Sequence, residues 1–564
     1  MKNYKYIGLF LLSLGVISCD VDNQLEEITD PVEPQIALIT NGLDFSKFVS
    51  VGASFTSGYT DGALFKRAQE NSFPNILAGK FGITDFKQPL MKDNIGGFVF
   101  GGVTVSSTLQ RFYLSPPNPS IPGSRPTPTR LNETPTTNLF ARAEGESFQN
   151  FGIPGAKSFH FVTPNYGNPQ GLTTSPLSAN PYFVRMASSP STTVLGDALA
   201  QSPSFFTVVG VGANDVLSYA LGGGVGVDQT GNFDASTYGS EDITDPIVFG
   251  NVYTSMVSAL ASNGAKGVLA NIPYITSFAH FTTVPHNPLD PNNVNTGEAF
   301  IAQVPLLNSI YGAVNQIYAG AGEPERAIVF STTEANPVVI IDDNVTDLTA
   351  AIATTLGGSP TFIPFVESLG LPAAAAPLVA GLLGQQYGKA RSATSKDLLL
   401  LPSSAIIGQV NTAAIGALVA NSGGLLPVNL AGQLSVEGVT LPLSDKWVLT
   451  PEEQAAIKTA TDSYNTTIVG ITNSNPNVAL VDFKAVLAEA TTGIMFDNNL
   501  ITTGLISGGL ISLDGVHLTG RGYALMANKI LAAMDVKFGS NFTSATNGLA
   551  KAEDYPTNYS VLFR

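Results

Sequence analysis

Four short, mainly hydrophobic runs constrain the fold of this chain more than any other feature. They cover residues 48–51, 205–212, 267–272 and 477–482. The second run is nearly continuous, which is typical of a strand that is covered on both faces. Segments with helical signals lie between the runs, and this alternation predicts right-handed crossovers and a parallel sheet. The predicted fold class is therefore α/β.

Helix signals support this alternation. A Ser-x-Pro start predicts a helix over 72–82, and another is predicted over 246–263. A capping box, Thr450-Pro451-Glu452-Glu453, begins a helix that is predicted to run to about Thr467. After Thr519, an apolar stripe at helical spacing predicts a helix that packs on the sheet; its members are Tyr523, Met526, Ala527, Ile530, Leu531 and Met534.

Composition limits the partners of the protein. The chain has 564 residues and a net charge of −16, so nucleic acid is not expected as a partner. The single cysteine, Cys19, excludes an internal disulfide and, with only four histidines, leaves little basis for a Cys/His zinc site. A carboxylate site stays open in principle, but no D-x-D-x-D-G run is present. Neither a metal nor a cofactor is predicted, and the oligomeric state stays open.

The N-terminal residues have the pattern of a targeting segment. Residues 1–18 combine a positively charged start with an apolar stretch that is too short to anchor stably across a bilayer. This stretch ends just before Cys19 and resembles the bacterial lipoprotein signal, in which the cysteine becomes lipidated. The resemblance implies a membrane anchor at Cys19 in the bacterial cell envelope, at the outer membrane, on its periplasmic or cell-surface face. An ordinary secretory signal is the alternative.

The remaining chain divides by its pattern. Residues 19–44 are predicted to be an acidic tether. The strand and helix signals occupy 45–275 and 441–536, and residues 276–440 interrupt them with apolar segments broken by proline and glycine. This interruption is interpreted either as a helical insertion packed on the core or as an apolar cap over an active site. Residues 537–564 form a polar tail without an assigned role.

A further short strand, ending in a Gly/Pro turn, is predicted at residues 148–155. Polar residues or glycine turns stand at four predicted strand ends, and the set matches what acyl transfer requires. The residues are Ser54, Gly155, Asn214, Asp514 and His517. A serine needs a base to remove its proton, and a carboxylate on the second imidazole nitrogen orients that base. Backbone N–H groups and an amide side chain can stabilise the oxyanion. Each feature alone is also explained by an ordinary turn or helix start.

In this order, these residues resemble the four sequence blocks of the SGNH (GDSL-type) serine esterase and lipase family. The blocks correspond to residues 52–55, 150–155, 212–215 and 514–517. The resemblance implies a flavodoxin-like, three-layer fold with a parallel sheet, here with a large, mainly helical insertion. It also implies hydrolysis of carboxylic esters through an acyl-enzyme.

The resemblance assigns a role to each matching residue. Ser54 is the nucleophile, His517 the general base and Asp514 the residue that orients it. The N–H groups of Ser54 and Gly155 and the side chain of Asn214 form the oxyanion hole. No cofactor is implied.

Several positions within the blocks need separate comment. Ala53 stands where the family usually has Asp, which puts the support of the nucleophile loop in doubt. Gly152 competes with Gly155 as the oxyanion donor, and Gly155 is preferred because it aligns with the last glycine of its block. Asp215 is predicted to be structural. The other three histidines, at 160, 280 and 286, are predicted to be structural, with a place at the substrate rim as the alternative.

Three functional alternatives stay open at this point. The first is a lipase, acylhydrolase or esterase that cleaves a small-molecule or polymer ester. A carbohydrate O-acetylesterase on the same fold is one alternative. A surface lipoprotein that binds glycans or lipids without turnover is another. A conventional α/β-hydrolase is disfavoured, because the chain has no Gly-x-Ser-x-Gly sequence and its Asp and His candidates lie only three residues apart.

Overall fold

A computed structural model describes residues 35–121 and 123–563 of the chain. The predicted signal peptide (residues 1–18), the predicted lipid acceptor Cys19 and most of the predicted tether lie outside the described residues. Among the helices that the structure does describe, we find none that combines the length and apolar character needed to cross a bilayer.

Five parallel strands form the central sheet, four of them at the apolar runs and one at the predicted short strand of residues 148–155. They are β1 (Phe48–Gly52), β2 (Asn150–Gly152), β3 (Phe205–Val209), β4 (Lys266–Ala270) and β5 (Val478–Val481). Their spatial order is β5–β4–β3–β1–β2, and each neighbouring pair is parallel. Every residue of β1 and β3 is buried, so both faces of the sheet are covered.

Helices separate the strands along the chain. Within the described ranges they are α1 (Ser54–Ser57), α2 (Lys66–Glu70), α3 (Phe73–Lys80), α4 (Pro181–Val184), α5 (Val194–Ala200), α6 (Asn214–Leu221), α7 (Pro246–Leu260), α8 (Ala279–Thr282), α9 (Gly297–Gly320), α10 (Thr349–Gly357), α11 (Ile363–Ser368), α12 (Ala376–Tyr387), α13 (Thr412–Asn421), α14 (Val428–Gln433), α15 (Pro451–Ser474), α16 (Phe483–Thr492) and α17 (Gly520–Phe538). Of these, α17 packs on α3 and β5, whereas α15 packs on α6 and α7.

The predicted helix boundaries agree with the structure at their starts. Ser72 is the N-cap of α3, with proline in its first turn. The capping box before α15 is present, and the Thr450 N–H donates to a carboxylate oxygen of Glu453 over 2.7 Å. This helix continues past its predicted end near Thr467 to Ser474, because buried residues recur along its whole length.

Five short antiparallel strand pairs lie outside the central sheet. They pair Val99–Phe100 with Val103–Thr104, Phe112–Ser115 with Thr127–Arg130, Val339–Ile341 with Ala390–Ser392, Leu398–Leu399 with Val448–Leu449, and Ile494–Phe496 with Asn499–Ile501. The first two pairs lie in the segment between α3 and β2 and give it local structure.

Residues 276–440 contain helices α8 to α14. Most of these helices contribute to a hydrophobic cluster that is separate from the one around the central sheet. Within it, the hydroxyl of Tyr318 donates to the Tyr387 carbonyl over 2.6 Å, and the buried Arg326 guanidinium lies over the Tyr318 ring. The segment therefore has a core of its own. Its role as a cap over an active site stays a prediction.

The C-terminal residues, which carried no assignment, pack back onto the protein. The buried guanidinium of Arg111 donates to the carbonyls of Tyr559 (3.2 Å), Ser560 (2.7 Å) and Phe563 (2.8 Å). The Arg111 guanidinium thus supplies hydrogen bonds to three backbone carbonyls of the C-terminal residues. Sequence composition gives no sign of this contact, because the partners are more than four hundred residues apart.

Gly52, the last residue of β1, has no room for a side chain. An added Cβ would lie 2.0 Å from the Val209 carbonyl oxygen, a backbone atom of the neighbouring strand. We expect Gly52→Ala to lower the free energy of unfolding by about 3 kcal/mol or more, because β1 or β3 must move to make room for the methyl group. Urea unfolding measures this.

Gly312→Ala is the matched control for this substitution. Gly312 lies inside α9, where nothing is found within 4 Å of an added Cβ. Alanine is the better helix former, so this variant should gain up to about 1 kcal/mol. Equal stabilities of the two variants would contradict the proposed packing at Gly52.

Candidate active site

Ser54 is the first residue of α1, and one residue separates it from the end of strand β1 of the central sheet. Ala53 is the N-cap, and Ser54 is 5% exposed. Glycines let this turn approach the adjacent strand ends, because a Cβ on Gly152 would lie 2.2 Å from the Ser57 nitrogen. As one of the first residues of a helix, Ser54 has an N–H group without an acceptor inside that helix. The sequence thus places a buried serine and a backbone donor at the carboxyl edge of the sheet.

Asp514 and His517 form the charged part of the site. Nδ1 of His517 lies 2.7 Å from Oδ2 of Asp514. The carboxylate also accepts hydrogen bonds from the Gly62 N–H (2.9 Å), the Val516 N–H (2.9 Å), the His517 N–H (2.9 Å) and the Ser512 hydroxyl (3.0 Å). Burial opposes ionisation, but the imidazole and the backbone N–H groups of Val516 and His517 outweigh it and hold the pKa of Asp514 well below its usual range. Asp514 is therefore an ionised group that orients His517.

The second nitrogen of His517 is the most informative atom of the site. Nε2 is buried and has no hydrogen-bond partner among the described residues. The ring packs between Phe55, with centroids 5.3 Å apart, and Tyr59, with centroids 4.6 Å apart. A buried polar atom without a partner costs free energy and needs an explanation, and a catalytic role is one such explanation.

Ser54 precedes Phe55, so the structure brings the predicted nucleophile and base to the same place. It does not show a hydrogen bond between Ser54 Oγ and His517 Nε2. Such bonds are often long in enzymes without a bound substrate and shorten in the complex.

Residues 59–62 hold the loop that carries Asp514 and His517, and the sequence pattern did not identify them. The hydroxyl of Thr60 donates to the Leu518 carbonyl over 2.7 Å. The Asp61 N–H donates to the Ser512 hydroxyl, and the Asp61 carboxylate accepts from the Leu513 N–H, both over 3.0 Å. An Asp-Gly pair signals a turn, but no local signal reveals a partner this distant in the chain.

The predicted oxyanion donors lie on two neighbouring turns. Gly155 is exposed and has a φ of +77°, a conformation that favours glycine. The Asn214 side chain donates to the Ala156 carbonyl over 2.9 Å, and this places it beside the Gly155 turn. The amide nitrogen of asparagine carries two hydrogens, so one remains for another acceptor.

Two further residues of these turns have structural roles. The Gly152 N–H is used by the Asn150 side chain at 3.0 Å, which favours Gly155 over Gly152 as the oxyanion donor. Asp215 accepts from both the N–H (2.8 Å) and the hydroxyl (2.6 Å) of Ser158, and burial raises its pKa. Asp215 therefore joins the two turns, in agreement with its predicted role.

His280 is buried and His160 is partly buried, and both make structural contacts. The His280 N–H donates to the Gly515 carbonyl over 2.8 Å, and its Nδ1 lies 3.2 Å from the Asp514 carbonyl oxygen. Burial lowers the pKa of His280. The His160 ring stacks on Tyr166 with centroids 4.4 Å apart, and burial lowers its pKa to about 3. His280 thus supports the Asp514 loop from the start of the 276–440 segment.

Known proteins do not identify this site. Within residues 35–121 and 123–563, no cluster of three or more His, Cys, Asp or Glu side chains could hold a metal ion. No protein-family model, curated protein or solved structure matches the chain significantly. The interpretation of the site therefore depends on its own geometry.

Asp61 gives a test of the site's electrostatics. Its Oδ2 is buried and has no hydrogen-bond partner within residues 35–121 and 123–563, and burial and the nearby Asp514 raise its pKa to about 7, against the opposing Leu513 N–H and Arg111. The pKa of aspartate in an unfolded chain is about 3.9, so the native state binds this proton more tightly than the unfolded state does. Stability is therefore lost as the pH rises from about 4 to about 7.

Asp61→Asn removes this titration and keeps an oxygen for the Leu513 N–H. We expect its melting temperature, relative to the wild type, to be higher at pH 8 than at pH 5. The exposed Asp85→Asn is the control and should show no such trend. A difference between Asp61→Asn and wild type that does not depend on pH would contradict the buried titration.

Proposed function

We propose that the protein is a serine hydrolase that cleaves carboxylic esters through an acyl-enzyme. Ser54 is the nucleophile, His517 the general base and Asp514 the residue that orients it. The observation that carries the proposal is the imidazole of His517. One nitrogen is held by an ionised carboxylate, and the other is buried and unpaired beside the residue that follows Ser54.

The topology supports the finer proposal of a flavodoxin-like SGNH fold. With strands numbered along the chain, the order β2–β1–β3–β4–β5 is that of flavodoxin-like sheets, whose ligands bind where the strand order reverses. Ser54 follows β1 and Asn214 follows β3, on either side of this reversal. The blocks at residues 52–55 and 212–215, which resemble the SGNH family, therefore lie on the two strand ends at this reversal, which supports the proposal.

The proposed reaction uses each of these groups. Ser54 Oγ attacks the ester carbonyl carbon while His517 Nε2 takes its proton, and Asp514 stabilises the imidazolium. The Ser54 and Gly155 N–H groups and the Asn214 amide bind the oxyanion. The intermediate collapses, the C–O bond to the alcohol breaks, and His517 gives its proton to the leaving oxygen. Water then attacks the acyl-enzyme by the same route, which releases the acid and restores Ser54.

Ala53 is compatible with this mechanism. The alanine carbonyl accepts from the Ser57 N–H over 3.1 Å, and the Ser57 hydroxyl donates to the Ser54 carbonyl over 2.8 Å. Ser57 therefore braces the nucleophile turn, in which Ala53 stands where the family usually has Asp.

Ser54→Ala tests the proposal. We expect kcat for p-nitrophenyl esters to fall by about 10⁴-fold or more, because the nucleophile is lost while the fold is kept. A fluorophosphonate probe should label the wild type and the exposed-serine control Ser262→Ala, but not Ser54→Ala. Undiminished turnover in Ser54→Ala contradicts the assignment. A wild type without turnover, whose glycan or lipid binding survives Ser54→Ala, would support the non-catalytic alternative.

We further propose that the enzyme is anchored in the bacterial cell envelope through a lipid on Cys19. The described chain is pinned at Ile36, whose N–H donates to the Thr546 hydroxyl over 2.8 Å. Ile36 is seventeen residues after Cys19, so the distance between the lipid anchor and this contact is at most roughly 60 Å.

Cys19→Ser tests the anchor. Expressed in a Gram-negative host, the wild type should partition into the detergent phase of a Triton X-114 extract, because buried acyl CH₂ groups drive it there. The variant should move to the aqueous phase. The same partition for both proteins would contradict a lipid on Cys19.

A further inference from the structure

An apolar cavity of about 70 Å³ lies beside the proposed active site. Its walls come from the end of β3, α6, the residues after β4, α16 and α17. Asn271 is the one polar residue among those that line it. The Asn271 amide uses one of its two hydrogens to donate to Asp482 over 2.7 Å, and its oxygen accepts from the Lys484 N–H over 3.0 Å, so at most one donor remains. The cavity therefore offers a bound group almost no hydrogen-bonding partner.

The cavity adjoins the site through three residues that are chain neighbours of the proposed catalytic groups. It is lined by Phe55, which follows Ser54, by Ala213, which precedes Asn214, and by Leu518, which follows His517. The nucleophile, the oxyanion donor and the base each have a chain neighbour in its wall. An acyl group on Ser54, with its carbonyl oxygen at the oxyanion donors, thus has its carbon chain next to this space.

The chemistry of the walls selects the occupant. Sugar hydroxyls buried there would lose their hydrogen bonds to water without replacement, which is costly. Apolar cavities instead stay dry and bind apolar groups. An acetyl group is too short to use the space beyond the reacting carbon, whereas a longer alkyl chain gains from each methylene that it buries.

We propose that this cavity receives the acyl chain of the substrate, so that the enzyme acts on esters of medium-length fatty acids and not on acetylated glycans. The inference depends on the proposed acyl-enzyme at Ser54. It also assigns Met526 and Val486, which are partly buried on α17 and α16, as residues that determine acyl-chain specificity.

Chain-length profiles of the wild type test the first part. Each buried methylene should raise kcat/KM about fourfold, so p-nitrophenyl hexanoate should exceed the acetate by on the order of 100-fold. Palmitate should fall below hexanoate, because the chain outgrows the cavity. A wild type that prefers acetate to hexanoate overturns the inference.

Filling the cavity tests the second part. In Met526→Trp the indole should occupy the space, so kcat/KM for hexanoate should fall by about tenfold or more, while acetate changes by less than about twofold. Val486→Phe fills the same cavity from α16 and gives an independent variant if the first folds poorly. Val536→Trp is the matched control, because Val536 lies on α17 and is 90% exposed. Its chain-length profile should equal that of the wild type.

The outcomes separate the inference from the proposed function. If ester hydrolysis depends on Ser54 but both filled variants keep the wild-type chain-length profile, the acyl cavity is wrong and the hydrolase stands. If no ester is hydrolysed in a Ser54-dependent way, the proposed function fails, and the acyl cavity fails with it. A crystal structure of the enzyme after reaction with a hexyl fluorophosphonate should show the alkyl chain in the cavity; a chain directed to solvent overturns the inference.

Discussion

The hydrogen bonds between residues 59–62 and the Asp514 loop are the contacts on which the rest of the site depends. They join segments about 450 residues apart in the chain. The Asp514 loop contributes no strand to the central sheet, so the sheet alone cannot set the position of His517. Buried hydrogen bonds from N–H groups to a carboxylate are stronger than neutral ones. The short segment after Ser54 therefore anchors the Asp514 loop and sets the position of His517 relative to Ser54.

The sheet contributes the other half of the geometry through close packing. Gly52 and Gly152 allow backbone to lie directly against backbone, so α1 lies on the ends of β2 and β3 without intervening side chains. The turns that carry Gly155 and Asn214 follow those same two strands. Their relative position is maintained by Asp215, whose two hydrogen bonds to Ser158 are buried. Polar contacts across the sheet edge thus connect elements that the strands have already brought near.

The sequence predicts the parallel sheet and the candidate residues, because both are encoded locally. Buried strands are short apolar runs, and helix starts have caps such as Thr450 and Glu453. The support around the site has no such local code. Asp61 is one aspartate in a Thr-Asp-Gly turn, and only the fold shows that it is buried next to Asp514. The tail held by Arg111 is equally invisible, because its acceptors are backbone carbonyls that any residue provides.

Helix α17 connects the polar and apolar halves of the site. It begins right after the His517 loop, and its cap is Thr519, whose hydroxyl accepts from the Gly522 N–H over 2.9 Å. Most of its apolar stripe is buried against the sheet, but Met526 is only partly buried and lines the cavity. One turn earlier, the hydroxyl of Tyr523 donates to the Tyr59 carbonyl over 2.6 Å. Because the same helix contacts both residues 59–62, which hold the Asp514 loop, and the cavity, it sets the position of the cavity wall relative to the His517 loop.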